Sequence, residues 1–148
     1  MGRMVIQSID DLALGADATQ DIWSVIASAT SRIKLHGFEL TSADLVAELI
    51  SLTLKRITAA GTGGSAPGTE ELLDEEFSAV TATFRQGDTT PGTPGGNLKG
   101  FQWEQLGPVG HLYTPEMRPK AKVSDGFALV CNTALTATVS GWVCWEEL

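Results

Sequence analysis

The sequence predicts an all-β fold, a single β-sandwich of jelly-roll type or a small barrel. Three observations carry this. Apolar and polar residues alternate with a period of two over much of the chain, most clearly near its C-terminus. Glycine- and proline-rich stretches cut the sequence into short segments. Strand-like runs follow one another without helices between them, which argues against a doubly wound α/β fold. The 148 residues fit one domain, long enough to bury a core without disulfide staples.

In chain order, residues 1–20 read as an extended N-terminal arm and residues 21–148 as the sandwich domain. In residues 21–40, Ile22, Ser24 and Ile26 alternate with Trp23, Val25 and Ala27, and Ile33 and Leu35 alternate with Lys34 and His36. This gives two strands, or one long bent strand. Residues 43–58 are ambiguous. Leu45, Leu49 and Leu52 have helical spacing, yet Ile50, Leu52 and Leu54 alternate with Ser51, Thr53 and Lys55. The β context favours a strand at about 48–58. Residues 61–69, GTGGSAPGT, form a loop, and 70–76, EELLDEE, an acidic turn or strand entry. Residues 77–85 read as a strand and residues 87–96, GDTTPGTPGG, as a second long loop.

Residues 96–119 place Phe101, Trp103 and Tyr113 among glycines and Pro108, Pro115 and Pro119. Proline and glycine exclude a long helix, so this segment reads as short strands joined by turns. Residues 127–131 are a strand. In residues 135–145, Leu135, Ala137, Val139, Val143 and Trp145 share one face, and Thr136, Thr138, Ser140, Trp142 and Cys144 the other. With Asn132, Thr133 and Ala134 as the turn, the last 22 residues read as a hairpin. The total is about seven to nine strands, in keeping with a sandwich.

Composition narrows the partners. The net charge of −8 opposes a phosphate backbone, so nucleic-acid binding is not expected. No run of about 20 apolar residues exists to span a membrane. The N-terminus carries acids at Asp10 and Asp11 where a secretory signal would stay apolar. Charged residues make up only 19%, a surface suited to a protein that covers much of itself with partners. Cys131 and Cys144 are too few for a disulfide framework. A bridge between them is geometrically open, but two buried, reduced thiols are favoured.

No catalytic constellation emerges. Gly61, Gly63 and Ala66 loosely match a dinucleotide fingerprint, but Pro67 and Gly68 interrupt the helix it requires. Gly63 to Pro67 approaches a nucleophile elbow but lacks its last glycine. His36 and His111 are 75 positions apart and lack nearby Cys or His partners, so no metal or other cofactor is expected. Glu104 and Glu116 could serve a glycosidase only if the fold brought them together. Trp103, Tyr113, Trp142 and Trp145 could build a sugar platform, though a core or an interface uses the same residues.

The blocks FQWEQLGPVGHLYTPEMRP and VSDGFALVCNTALTATVSGWVCWEEL, with LTLKRITAAGTGGSAPGTEE and GDTTPGTPGG, resemble a family of small structural proteins of tailed bacteriophages. The resemblance covers residues 37–71, 89–119 and 123–147, about two-thirds of the chain. It implies a β-rich virion component without catalytic residues: a capsid decoration, or cement, protein on the outer capsid surface. Its implied partners are the major capsid protein and further copies of itself, a trimer being favoured. A tail or fibre component, or a carbohydrate-binding sandwich for host recognition, is the alternative. Candidate contact residues are Val5 and Ile6 in the arm, with Trp103, Glu104 and Tyr113.

Overall fold

The computed structural model describes residues 2–16, 19–44, 46–67, 70–73, 79–134 and 136–148. Among these the strands are β1 (Arg3–Leu14), β2 (Gln20–Ile26), β3 (Ile33–Ser42), β4 (Leu49–Ala59), β5 (Glu71–Leu72), β6 (Thr83–Asp88), β7 (Thr93–Glu104), β8 (Val109–Leu112), β9 (Lys120–Ala121), β10 (Gly126–Cys131) and β11 (Ala137–Glu147). They form two antiparallel sheets packed face to face. One runs β5-β1-β11-β3-β8, with β9 also on β3; the other runs β6-β2-β10-β4-β7. The pairs β1·β11, β2·β10, β3·β8 and β4·β7 are those of a hairpin rolled up on itself, a jelly roll. The sheets do not close into a barrel.

The core lies between the sheets. Val5, Ile9, Leu35, Phe38, Leu40, Val143 and Trp145 come from the first sheet, and Trp23, Val25, Leu52, Leu54, Phe84, Phe127 and Leu129 from the second. A chain of rings threads it. Trp145 stacks on Phe84 at 5.9 Å, Phe84 on Trp23 at 6.5 Å, and Trp23 meets Phe38 at 5.6 Å. Phe38 then meets Phe101 edge-on at 5.5 Å, which carries the chain out to β7.

Four expectations are corrected. Residues 3–14 are not a free arm. They form β1, paired along its length with β11, and Val5 and Ile9 are fully buried. Their alternation has the period of a strand with one face in a core. Strand β10 and strand β11 are not a hairpin, because they belong to different sheets. Every residue of β10 is buried: Phe127 and Leu129 face the core, while Ala128 and Val130 meet Ile57 and Ile26 on the other face. A strand apolar on both faces belongs mid-sheet, and β10 lies between β2 and β4. The strand expected at 77–85 begins at Thr83; residues 79–82 are irregular, and 77–78 lie outside the described residues. The loop expected at 87–96 ends early, since β7 starts at Thr93. The expected strand at 48–58 corresponds to β4.

Candidate docking surface

The outward face of the first sheet holds an apolar depression. On β1, β11 and β3 the core-facing residues alternate with Ile6, Trp142, Cys144 and His36. Strand β8 adds Leu112, and the segment after it adds Tyr113 and Arg118. These side chains line a shallow depression of about 350 Å³. Gly110 lets β8 close against β3, since a Cβ there would stand 2.5 Å from the Phe38 carbonyl.

Leu112 and Tyr113 are shared with a second depression of about 340 Å³ on the β7–β8 side, completed by Leu98, Lys99, His111 and Met117. The ring chain from the core ends here: Phe101 meets His111 at 6.4 Å, and His111 meets Tyr113 edge-on at 4.5 Å. The surface rings are thus braced by the core. Leu112 and Met117 are 69% and 70% exposed, the most exposed large apolar side chains among the described residues. Clustered apolar exposure of this kind marks interaction surfaces.

The charges around it are specific. Glu146 accepts from Lys34 at 2.6 Å and lies 3.2 Å from His36 Nε2. Burial works to raise the Glu146 pKa, but these two partners outweigh it and hold it below the usual range. Burial lowers the pKa of His36, with Glu146 partly opposing, so His36 is neutral at neutral pH. Burial, and then Lys99, lower that of His111. Burial raises the Tyr113 hydroxyl and the Cys144 thiol.

Of the candidate contact residues, Ile6 and Tyr113 come together in the outer depression. Val5 and Trp103 turn into the core, at 0% and 1% exposure, and offer no side-chain surface to a partner. Trp103 instead braces the turn after β7, its Nε1 donating to the Gly107 carbonyl at 2.7 Å. Glu104 is exposed at the turn end of β7, apart from the depression. Leu112, Met117, Arg118 and Trp142 were not among the candidates. Trp142 carried a signal, for it falls on the polar face of β11 with Ser140 and Cys144. A large ring at that parity must point away from the core.

The other motifs resolve into structure. The 61–65 loop lies along β6, with bridges Thr62 to Thr90 and Ser65 to Gln86. The Gly64 amide donates to Asp88 Oδ1 at 2.9 Å, and a Cβ at Gly64 would stand 2.2 Å from the Gln86 carbonyl. That glycine serves close packing, and its amide is occupied by the protein's own carboxylate. Glu104 ends β7 at the turn, while Glu116 lies in the turn beyond the far end of β8. Among the described residues no three metal-ligating side chains converge. Cys131 and Cys144 are both buried and free. No family model matches the sequence, and neither a curated protein nor a solved structure matches it.

Proposed function

We propose that this chain is a non-enzymatic virion structural protein of a tailed bacteriophage, a capsid decoration protein that docks on the major capsid protein and on copies of itself. The observation that carries the reading is the exposed apolar and aromatic surface around Leu112, Tyr113, Met117 and Trp142, held rigidly by the jelly roll behind it. Supporting it are the resemblance of the 89–119 and 123–147 segments to phage structural proteins and a fold common among capsid and lectin domains. Each copy adds a modest contact, and many symmetric copies stabilise a shell through avidity. Copy number in purified particles tests the reading. Copies comparable in number to capsid subunits are expected, and a handful per particle overturns the cement role.

One observation favours a second reading, host-glycan recognition: Trp142, Tyr113 and Arg118 share one depression. Aromatic faces beside a guanidinium suit an acidic sugar. Glycan-array binding lost in Trp142→Ala would support this reading, and absence of glycan binding rejects it.

A further inference from the structure

Each sheet of the sandwich ends in edge strands, and most of these edges are covered by the chain itself. Along β6, Ser65 and Gln86 exchange both amide bonds, at 3.0 and 2.9 Å. Beyond β1 lies β5, and the Leu73 amide donates to the Met4 carbonyl at 3.0 Å. Strand β8 exposes an edge only four residues long. Strand β7 is the exception among the described residues. Its twelve residues border β4 on one side and no strand on the other. The devices that blunt an edge are confined to its first half. Pro94, Gly95 and Gly96 stand there, and every break in the β4·β7 register falls before Lys99. From Lys99 to Glu104 six consecutive residues pair with β4 without a bulge and without proline.

The hydrogen-bond pattern fixes which groups of that stretch are free. The Gln105 amide donates to the Glu48 carbonyl at 3.3 Å, in register with the ladder, and the Ser51 carbonyl is taken by the Asn132 amide on the β10 side. Hydrogen-bonded pairs alternate along an antiparallel ladder. Lys99, Phe101 and Trp103 therefore bond to Leu54, Leu52 and Ile50. The amides and carbonyls of Gly100 and Gln102, with the Glu104 amide, point away from β4 into the open. A Cβ at Gly100 would meet nothing of this chain nearer than the Leu52 carbonyl at 4.0 Å, so packing within the fold does not call for glycine there. Bare backbone at that point leaves room for another chain to approach. Two features flank the edge. Toward the first sheet opens the depression of about 340 Å³ that Leu98, Tyr113 and Met117 help to line. On the outer face stands Glu104, exposed and opposite Leu49; Glu48, the residue before Leu49, is exposed too.

We infer that β7 takes an added strand from a different polypeptide, a sixth strand for the second sheet. Free amides and carbonyls along an edge are satisfied by extended backbone, and side-chain pockets beside the edge select the sequence. The inward-pointing residues of the added strand, beside Lys99 and Phe101, reach the depression and should be apolar. The outward residue beside Glu104 should be lysine or arginine, in keeping with a molecule of net charge −8. Side chains alternate between faces, so anchor and cation stand three or five positions apart. A second copy is a poor occupant. Its β7 carries the same acid, and its inward side chains Phe101 and Trp103 are packed against its own core. Strand addition here goes beyond the virion role and does not depend on it.

The test is selection of end-blocked nonapeptides from a random library on the immobilised protein, with binding of the selected synthetic peptides measured by fluorescence anisotropy. Selected peptides are expected to carry an apolar residue and a lysine or arginine three or five positions apart. Gln102→Pro removes an edge-facing N–H that the fold does not use, so it should melt within about 5 °C of wild type. It should bind the peptides about tenfold or more weakly. Glu104→Lys, at an exposed position, should exchange the preferred cation for an acid, and it carries the test if Gln102→Pro fails to fold. In amide hydrogen exchange the peptides should protect Gly100 and Gln102. No selected peptide, or peptides that bind wild type and both variants alike, overturns the inference. So does a wild-type dimer that Gln102→Pro abolishes, for then the edge belongs to a second copy. Peptide binding as inferred, with only a handful of copies in particles, would reject the cement role and leave this site standing.

Discussion

Replacing Glu147 by alanine should cost this protein more than any surface change. The Glu147 side chain is fully buried. Its carboxylate accepts from the Thr81 amide at 2.9 Å, the Ala82 amide at 2.6 Å and Thr81 Oγ1 at 3.2 Å. Arg3 Nη2 lies 2.7 Å away, and Arg3 Nη1 donates to the Ala79 carbonyl at 2.9 Å. One carboxylate thus ties the last strand, the first strand and the 79–82 segment that leads into β6. Alanine strips the acceptor from two backbone amides and takes the carboxylate from Arg3. Each buried donor left unmet costs about 1–3 kcal/mol. Breaking a buried ion pair costs about 3–5 kcal/mol in all, and the two figures overlap. Arg3 keeps 18% side-chain exposure and regains some water, which puts the loss at about 3–4 kcal/mol. Glutamine retains one acceptor oxygen and should lose about 1–2 kcal/mol. At this chain length, the alanine variant should melt about 10 °C lower. Urea unfolding followed by tryptophan fluorescence measures the first quantity and calorimetry the second. Limited proteolysis should show new cleavage at 79–82. A Glu147→Ala loss below about 1 kcal/mol refutes the latch.

Trp103→Phe should destabilise the fold by about 1–2 kcal/mol through loss of the indole bond to Gly107. Denaturant midpoints check this. The Asp21 carboxyl is buried beside Asp88, and burial first, then that neighbour, raise its pKa despite the Gly92 amide bond. The native state then holds a proton that the unfolded state releases, so this group lowers stability as pH rises through the window above 3.8. Asp21→Asn should remove that slope and be more stable than wild type at neutral pH. His36, with its pKa lowered by burial, gives the opposite slope below 6.5, so the difference between variant and wild-type pH curves isolates Asp21. Both thiols should react slowly with a disulfide reagent in the native state, Cys144 before the fully buried Cys131, and both promptly once unfolded.

Period-two alternation is a statement about faces, and it served well wherever faces were the question. It located β2, β3, β4, β10 and β11, and it put Trp145 and Trp142 on opposite faces of β11. It says nothing about which strand lies beside which. Strand β10 and strand β11 are close in sequence and both strand-like, which is all a hairpin needs, yet they lie in different sheets. The deciding property was the second face of β10, where Ala128 and Val130 demand cover as Phe127 and Leu129 do. The same limit applied to β1. Val5, Ile9 and Leu14 face the core, with a bulge at Asp10 and Asp11 that resets the register, so a strand at the very start of the chain looked like an arm. The docking surface was harder to read because it mixes origins. Ile6, Trp142, Leu112 and Arg118 lie on three different strands and a turn, and only the rolled topology makes them neighbours. Parity marks which rings face out, and topology decides which of them share a patch. A sequence search for such surfaces should therefore begin with large apolar residues at the polar parity of a strand. In this chain that rule selects Trp142, whose removal by Trp142→Ala should leave the core stacked from Trp145 to Phe38 and change only what the outer face can hold.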